Sequence, residues 1–257
     1  MGAAMFPSAA ALSSAGRDRN CRPSGTMALT PVLRRLHGRR VVLASASPRR
    51  RDILGYTGLR FEVVPSLFPE TLDHATFATP HAYARENARR KALEVALRLR
   101  EKDQRTPDVV IGADTVVAVS GLILEKPRDK EDAMRMLRRL SGRQHSVITA
   151  VAIVLFPPVT TPGDGDPRDP GAPPPDPEVT SFHEETLVTF SPLTDELLHD
   201  YVDSGEPMDK AGGYALQALG AMLVERAEGD FLGAAGFPLN RFCRELQGLL
   251  GAATSDL

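Results

Sequence analysis

The chain has 257 residues, 42% of them hydrophobic and 25% charged, which suits one large soluble domain or two small ones. Its 31 basic and 33 acidic side chains nearly cancel, to a net charge of −2, and aromatics make up 5% with no tryptophan. Duplex DNA and base-stacking single-strand platforms are therefore poor expectations as partners. Two distant cysteines, Cys21 and Cys243, give neither a disulfide framework nor a zinc motif, and a reducing, cytoplasmic setting fits them. No apolar run approaches the ~20 residues of a membrane span.

Residues 1–26, rich in Ala, Ser and Gly, read as a disordered extension, with a compact domain over 27–252. The first firm elements lie in VVLASASPRRRDIL, residues 41–54. Val41-Val-Leu43 is a β-branched apolar run typical of a buried strand. Ser47 is a good N-cap, and Pro48 suits the first helical position. A strand thus feeds a tight turn and a helix whose N-terminus carries Arg49, Arg50 and Arg51. Helix N-termini attract anions, and clustered guanidiniums there call for one, so the turn reads as a cradle for a phosphate chain. The competing account makes the arginines ordinary solvated charges. Neither a Walker loop nor a dinucleotide fingerprint is present.

Phe61–Val64 predicts a second short strand, followed by a polar, proline-punctuated stretch over 66–80 that holds Glu70 and Asp73. A long helix is expected over His81–Lys102, with Arg85, Arg89, Arg90 and Lys91 on it; most must be solvated, while one turned inward would serve as a phosphate ligand. Asp108–Asp114 reads as an apolar strand that delivers a carboxylate to a crevice, continuing through Val119 and returning as a hairpin over Leu122–Leu124. Glu125-Lys126-Pro127 follows, and Asp129 caps a three-turn helix.

Gln144–Phe156 and Thr180–Phe190 form the longest strand pair, separated by a Pro/Gly/Asp-rich insertion at 157–177 that is expected to be flexible and to carry no chemistry. Thr194 caps a further helix. The Gly-rich, polar stretch 204–217 reads as a functional loop, Ala221–Val224 as a short strand, and the chain after Pro238 as a last amphipathic helix. Hairpins mixed with helices predict an α/β fold with a mixed twisted sheet flanked by helices. The six histidines share no ligand spacing and read as structural or surface residues.

Several cations together with one or two carboxylates suit phosphoryl chemistry on a nucleotide. The cations hold phosphate oxygens, and Asp114 and Glu70, as hard oxygen donors, suit Mg²⁺ or Mn²⁺ better than zinc. VVLASASPRR, VVIGADT, LEKP, LSGRQHSVITAVAIV, VTF and SGEPMDKAGGY, in this order over about residues 39–250, resemble the Maf proteins, house-cleaning nucleoside triphosphate pyrophosphatases. The likeness extends to Maf domains that in vertebrates precede a methyltransferase domain; no methyltransferase glycine motif occurs in these residues, and methyl transfer is not expected.

The resemblance implies a long central cleft like that of inosine triphosphatases, and hydrolysis of a nucleoside triphosphate to monophosphate and pyrophosphate. It implies that Ser45, Arg49 and Arg50 hold the phosphates and that Lys91 and Lys126 reach the triphosphate. Glu70 would join the metal and water shell, Asp114 would act as general base, and Lys210 and Gln217 would close the site from the opposite wall. Arg50, Thr115 and Gln217 match the branch that cleaves dTTP and UTP rather than the branch preferring 7-methyl-GTP, and a glutamine amide suits the imide edge of uracil or thymine. A homodimer is the family's habit. Two alternatives stay open: a purine-type or 7-methyl-GTP pyrophosphatase, and a nucleotide-binding module without catalysis. Tyr214-Ala-Leu-Gln-Ala218 lacks two glycines usual in bacterial members, which bears on base preference.

Overall fold

The computed structural model describes residues 31–102, 105–157 and 176–252. The extension expected over 1–26, and most of the expected insertion, lie outside them. Among the described residues one seven-stranded mixed sheet forms, in the order β2-β1-β3-β5-β6-β7, with β4 paired to β3. The strands are β1 (Val41–Ala44), β2 (Glu62–Val63), β3 (Val109–Val119), β4 (Leu122–Leu124), β5 (Gln144–Leu155), β6 (Glu178–Phe190) and β7 (Val224–Glu228). β1 runs parallel to both β2 and β3, whereas all later pairings are antiparallel. The helices are α1 (Pro31–Arg34), α2 (Pro48–Gly55), α3 (Pro80–Lys102), α4 (Lys130–Leu140), α5 (Asp195–Asp203), α6 (Phe231–Ala234) and α7 (Leu239–Ala252). None of them is long and apolar enough to cross a membrane.

Local chemistry sets the starts of these helices. Ser47 Oγ accepts from the Arg50 amide and Pro48 stands at the first helical position, while the side chains of Asp129 and Thr194 cap α4 and α5. One expectation fails: Ala221–Val224 is not a strand. Residues Leu219–Leu223 make a 3₁₀ turn, and β7 begins at Val224 and runs through a polar, largely exposed sequence. An edge strand paired on one side needs no apolar run, so hydropathy did not mark it.

The two sheet faces are covered differently. Side chains alternate along a strand, so Val110, Val116, Ile148, Ala150 and Ala152 share one face and pack under α3 with Ala84, Ala88, Ala92 and Ala96. On the other face Val109, Ile111, Ala113, Val151 and Ile153 pack against α2 and α7, whereas Val117, Val119 and Val147 pack against α4 and α5. These are two separate apolar clusters. Between them on that face stand Thr115 and Thr149, cross-strand partners in β3 and β5. The seam between the clusters adjoins the cleft.

Candidate active site

The ten residues that the resemblance implies for the site line one cleft of about 300 Å³, whereas Arg51, the third arginine of the expected cradle, does not line it and pairs in solvent with Asp52. Its floor is set by the approach of α3 to β3. Gly112 lies so close to the helix that a Cβ there would stand 2.5 Å from the Ala88 carbonyl oxygen and 2.8 Å from the Ala92 Cβ. That approach brings Lys91, with 10% of its side chain exposed, onto the sheet, where its Nζ lies 2.8 Å from Asp114 Oδ1 and 2.9 Å from Glu70 Oε1. Lys91 is the inward cation on α3; Arg85, Arg89 and Arg90 are exposed. Asp114 stands sixth in the eleven residues of β3, within the strand rather than at its end.

Glu70 comes from the extended segment after β2. The carboxylate of Glu94, on α3, accepts from Ser66 Oγ at 2.9 Å and from the Leu67 amide at 2.8 Å, which pins that segment against the helix. The two carboxylates on Lys91 are driven apart. Burial pushes Asp114 above the usual carboxylate range, opposed but not cancelled by Lys91 and Arg50. Burial acts on Glu70 in the same sense, but Lys91, Lys126 and Arg50 outweigh it and hold that carboxyl below its ordinary value. Of the two, Asp114 therefore binds a proton more readily than an ordinary carboxylate and Glu70 less readily.

The cradle at the start of α2 divides its work. Arg50 donates from Nε to the Gly236 carbonyl (3.0 Å), from Nη1 to Ser45 Oγ (3.3 Å) and from Nη2 to Thr115 Oγ1 (2.9 Å). It is a bracket tying three walls together, and burial lowers its pKa from the ordinary arginine value. Ser45 Oγ also accepts from the Ser47 amide at 3.2 Å, so its own proton is left for a ligand oxygen. The side chains of Arg49 and Lys126 make no hydrogen bond or ion pair among the described residues, which leaves both for an anion. Lys126 is placed by its neighbour: Glu125 receives Tyr83 Oη on its carboxylate and the Gly212 amide on its carbonyl, the latter at 3.0 Å.

The facing wall is the stretch 204–217. Gly212 turns left-handed at φ +68°, and a Cβ there would meet Val117 Cγ2 at 2.8 Å, so glycine lets this loop lie on β3. Lys210 Nζ donates to the Glu206 carbonyl at 2.6 Å and pairs with Asp209. Gln217 is exposed on the cleft. The Glu206 carboxylate accepts from Tyr201 Oη (2.9 Å), the Leu219 amide (3.1 Å) and the Gly220 amide (2.9 Å), which fastens both ends of the segment bearing Gln217. Sequence reasoning missed Thr149, Glu94, Tyr201 and the hub role of Glu206. An acid directly after the Ser204-Gly205 turn was the one available signal.

A family model described as "Maf-like protein" matches residues 40–249. The chain is 62% identical over 220 residues to a Homo sapiens protein named "Probable bifunctional dTTP/UTP pyrophosphatase/methyltransferase protein", covering 86% of this chain and 34% of that protein. The chain thus spans about a third of that relative's length. It is 40% identical over 208 residues to a "dTTP/UTP pyrophosphatase" of Carboxydothermus hydrogenoformans, covering 81% of this chain and 97% of the other. A "Nucleoside triphosphate pyrophosphatase" of Dictyostelium discoideum is 38% identical over 201 residues, covering 78% and 86%. With the family match running through every strand of the sheet and every wall of the cleft, the chain belongs to the Maf family.

Proposed function

We propose that this chain hydrolyses nucleoside triphosphates to the monophosphate and pyrophosphate in the cytoplasm, with dTTP and UTP as its preferred substrates. The observation that carries the reading is the buried Lys91 shared by Asp114 and Glu70, in a cleft whose walls bear Arg49, Lys126 and Lys210. The names borne by the relatives point the same way.

In this reaction water adds to a phosphorus of the triphosphate as the α–β anhydride bridge breaks, and its proton passes to Asp114. The raised proton affinity of Asp114 suits it to that task. Arg49, Lys126 and the Ser45 hydroxyl hold phosphate oxygens, and Lys210 adds positive charge from the facing wall. Little covalent work falls to the protein; positioning and charge do the rest.

The residues also fit a divalent ion. Glu70 and Asp114 converge on one point, the Lys91 ammonium, with oxygen donors, and no group of three acidic, histidine or cysteine side chains suited to a metal occurs among the described residues. Two carboxylates with the remaining positions filled by water and phosphate is the habit of Mg²⁺, and Mn²⁺ is met by the same donors. Such an ion supplies charge neutralisation on the phosphate oxygens.

The test is pyrophosphate release from dTTP, UTP, CTP, 7-methyl-GTP, ITP and ATP with Mg²⁺ or Mn²⁺, by the wild type and by Asp114→Asn. Release is expected from dTTP and UTP, to fall ~100-fold or more in the variant and to stop with EDTA. A folded protein that binds UTP yet releases pyrophosphate from no nucleotide overturns the reading in favour of a binding module.

A further inference from the structure

The Thr115 hydroxyl sits at the cleft wall beside Arg50, and its hydrogen bonding is set from behind. Thr149, fully buried, donates its single hydroxyl proton to the Gly233 carbonyl in α6 at 2.7 Å. A carbonyl oxygen only accepts, so the proton has no other use. The 2.9 Å contact between Thr149 Oγ1 and Thr115 Oγ1 must then be donated by Thr115. Arg50 Nη2, which only donates, gives a hydrogen bond to Thr115 Oγ1 from the other side. The relay therefore has one polarity: Arg50 to Thr115 to Thr149 to the Gly233 carbonyl. Thr115 has spent its proton inward, and what remains toward the cleft is lone-pair density.

We propose that Thr149 is a positioning residue for substrate choice, holding Thr115 as an acceptor-only group that takes an N–H from the bound nucleobase and so favours the imide of uracil or thymine over cytosine. The proposal rests on the nucleotide reading above. At ring position 3 uracil and thymine carry a donor, whereas cytosine carries a bare acceptor. An acceptor facing a Thr115 that cannot turn its proton outward leaves two lone pairs opposed in a partly dry site, and site groups left unpaired are what give large discrimination. A ribose hydroxyl, able to donate or accept, would not feel the polarity of the relay.

The seam position explains how the device is built. Thr115 and Thr149 face each other across β3 and β5 between two apolar clusters, where water has little access and the Gly233 carbonyl is the acceptor that α6 supplies. Thr186 Oγ1 holds the start of the same turn by donating to the Asp230 carbonyl at 2.8 Å, which fixes that acceptor. A threonine inside a strand is an ordinary β-former, so its function here is carried by direction alone.

The experiment measures kcat and KM for UTP and CTP with wild type, Thr149→Val and Thr149→Ser, together with equilibrium binding of both nucleotides by calorimetry. Thr149→Val, similar in shape, removes the acceptor for Thr115 and frees that hydroxyl to rotate; the UTP-to-CTP preference is expected to fall roughly tenfold or more, through KM rather than kcat. Thr149→Ser keeps the hydroxyl and is expected to keep the preference, which a purely structural role for the methyl group would not predict. Thr115→Val is expected to lose the preference regardless of how Thr149→Val folds. An unchanged ratio in folded Thr149→Val, or in Thr115→Val, overturns the proposal. A wild type that binds both nucleotides without cleaving them defeats the hydrolysis reading alone, because the ratio of the two binding constants, and its change in the variants, still decides the role of Thr149.

Discussion

Replacing Gly112 by alanine tests whether the spacing between α3 and β3 sets the chemistry of the cleft. The added Cβ would lie 2.5 Å from the Ala88 carbonyl oxygen, where real contacts do not fall below 3.0 Å, so the helix must retreat by about 0.5 Å. Carried in full to Lys91, that retreat stretches its contact with Asp114 on β3 from 2.8 Å to about 3.3 Å, outside the usual N–H···O range, whereas the Glu70 segment, pinned to α3 by Glu94, moves with the helix. Overpacking of this kind costs about 1–3 kcal/mol, or roughly 2–12 °C in Tm for a chain of this size. If misplacement by 1 Å costs ~100-fold in rate, half of that distance costs ~10-fold. Thermal unfolding and steady-state pyrophosphate release measure the two effects. Gly55→Ala is the control: it ends α2 with nothing within 4 Å of the new Cβ, and its stability is expected to hold or rise slightly. A Gly112→Ala protein with wild-type Tm and wild-type kcat would refute the claim that this approach positions Lys91.

Two other changes probe what stands behind the cleft. Tyr201→Phe removes the hydroxyl that donates to Glu206 and accepts from the Ala215 amide at 3.2 Å. It is expected to cost about 1–2 kcal/mol and to raise KM several-fold with kcat nearly kept, since Asp114 is untouched; titration of rate against substrate reads the split. His145, 3% exposed and bonded to Tyr214 Oη at 2.7 Å, is pushed by burial down to about 4 from an ordinary 6.5. Between those values the unfolded chain binds a proton that the fold refuses, so this contribution is complete above about pH 6.5 and fades as pH falls through about 4. Urea unfolding of His145→Gln is expected to show about 2 kcal/mol less loss than wild type between about pH 7.5 and about pH 5; equal losses would mean that His145 does not titrate across folding.

The parts of the molecule that were legible in the sequence are those where one residue type has one physical use. A serine followed by proline starts a helix, alternation or an unbroken β-branched run makes a strand, and Asp129 and Thr194 announce the helices they cap. The motifs and the resemblance they carry led to the ten residues of the cleft: most are charged or polar groups at a turn, a helix start or a strand segment, and Lys91, within α3, is the inward one among several cations on that helix. What stayed hidden depends on geometry that no short window holds. β7 is polar because only one of its edges is paired, and α1 and α6 are four residues each, too short to show a period. Glu94 looks like any charge on a helix until the segment bearing Glu70 folds onto it.

The same distinction separates the two layers of the cleft. Groups that would meet a triphosphate announce themselves, because cations and carboxylates crowded into small-residue turns have no role in a core. Groups that give those residues direction do not. Gly112 is one more small residue in an apolar strand, yet it admits α3 close enough for Lys91 to reach two carboxylates. Thr149 is one more β-branched residue, yet it uses up the Thr115 proton. The division has a consequence for substitution: exchanging Arg49, Lys126 or Asp114 should change how fast any triphosphate is handled, whereas exchanging Thr149 or Tyr201 should change which one is held and how well. Gly112 belongs to both layers, since one distance sets the position of the charge and the packing of the sheet beneath it.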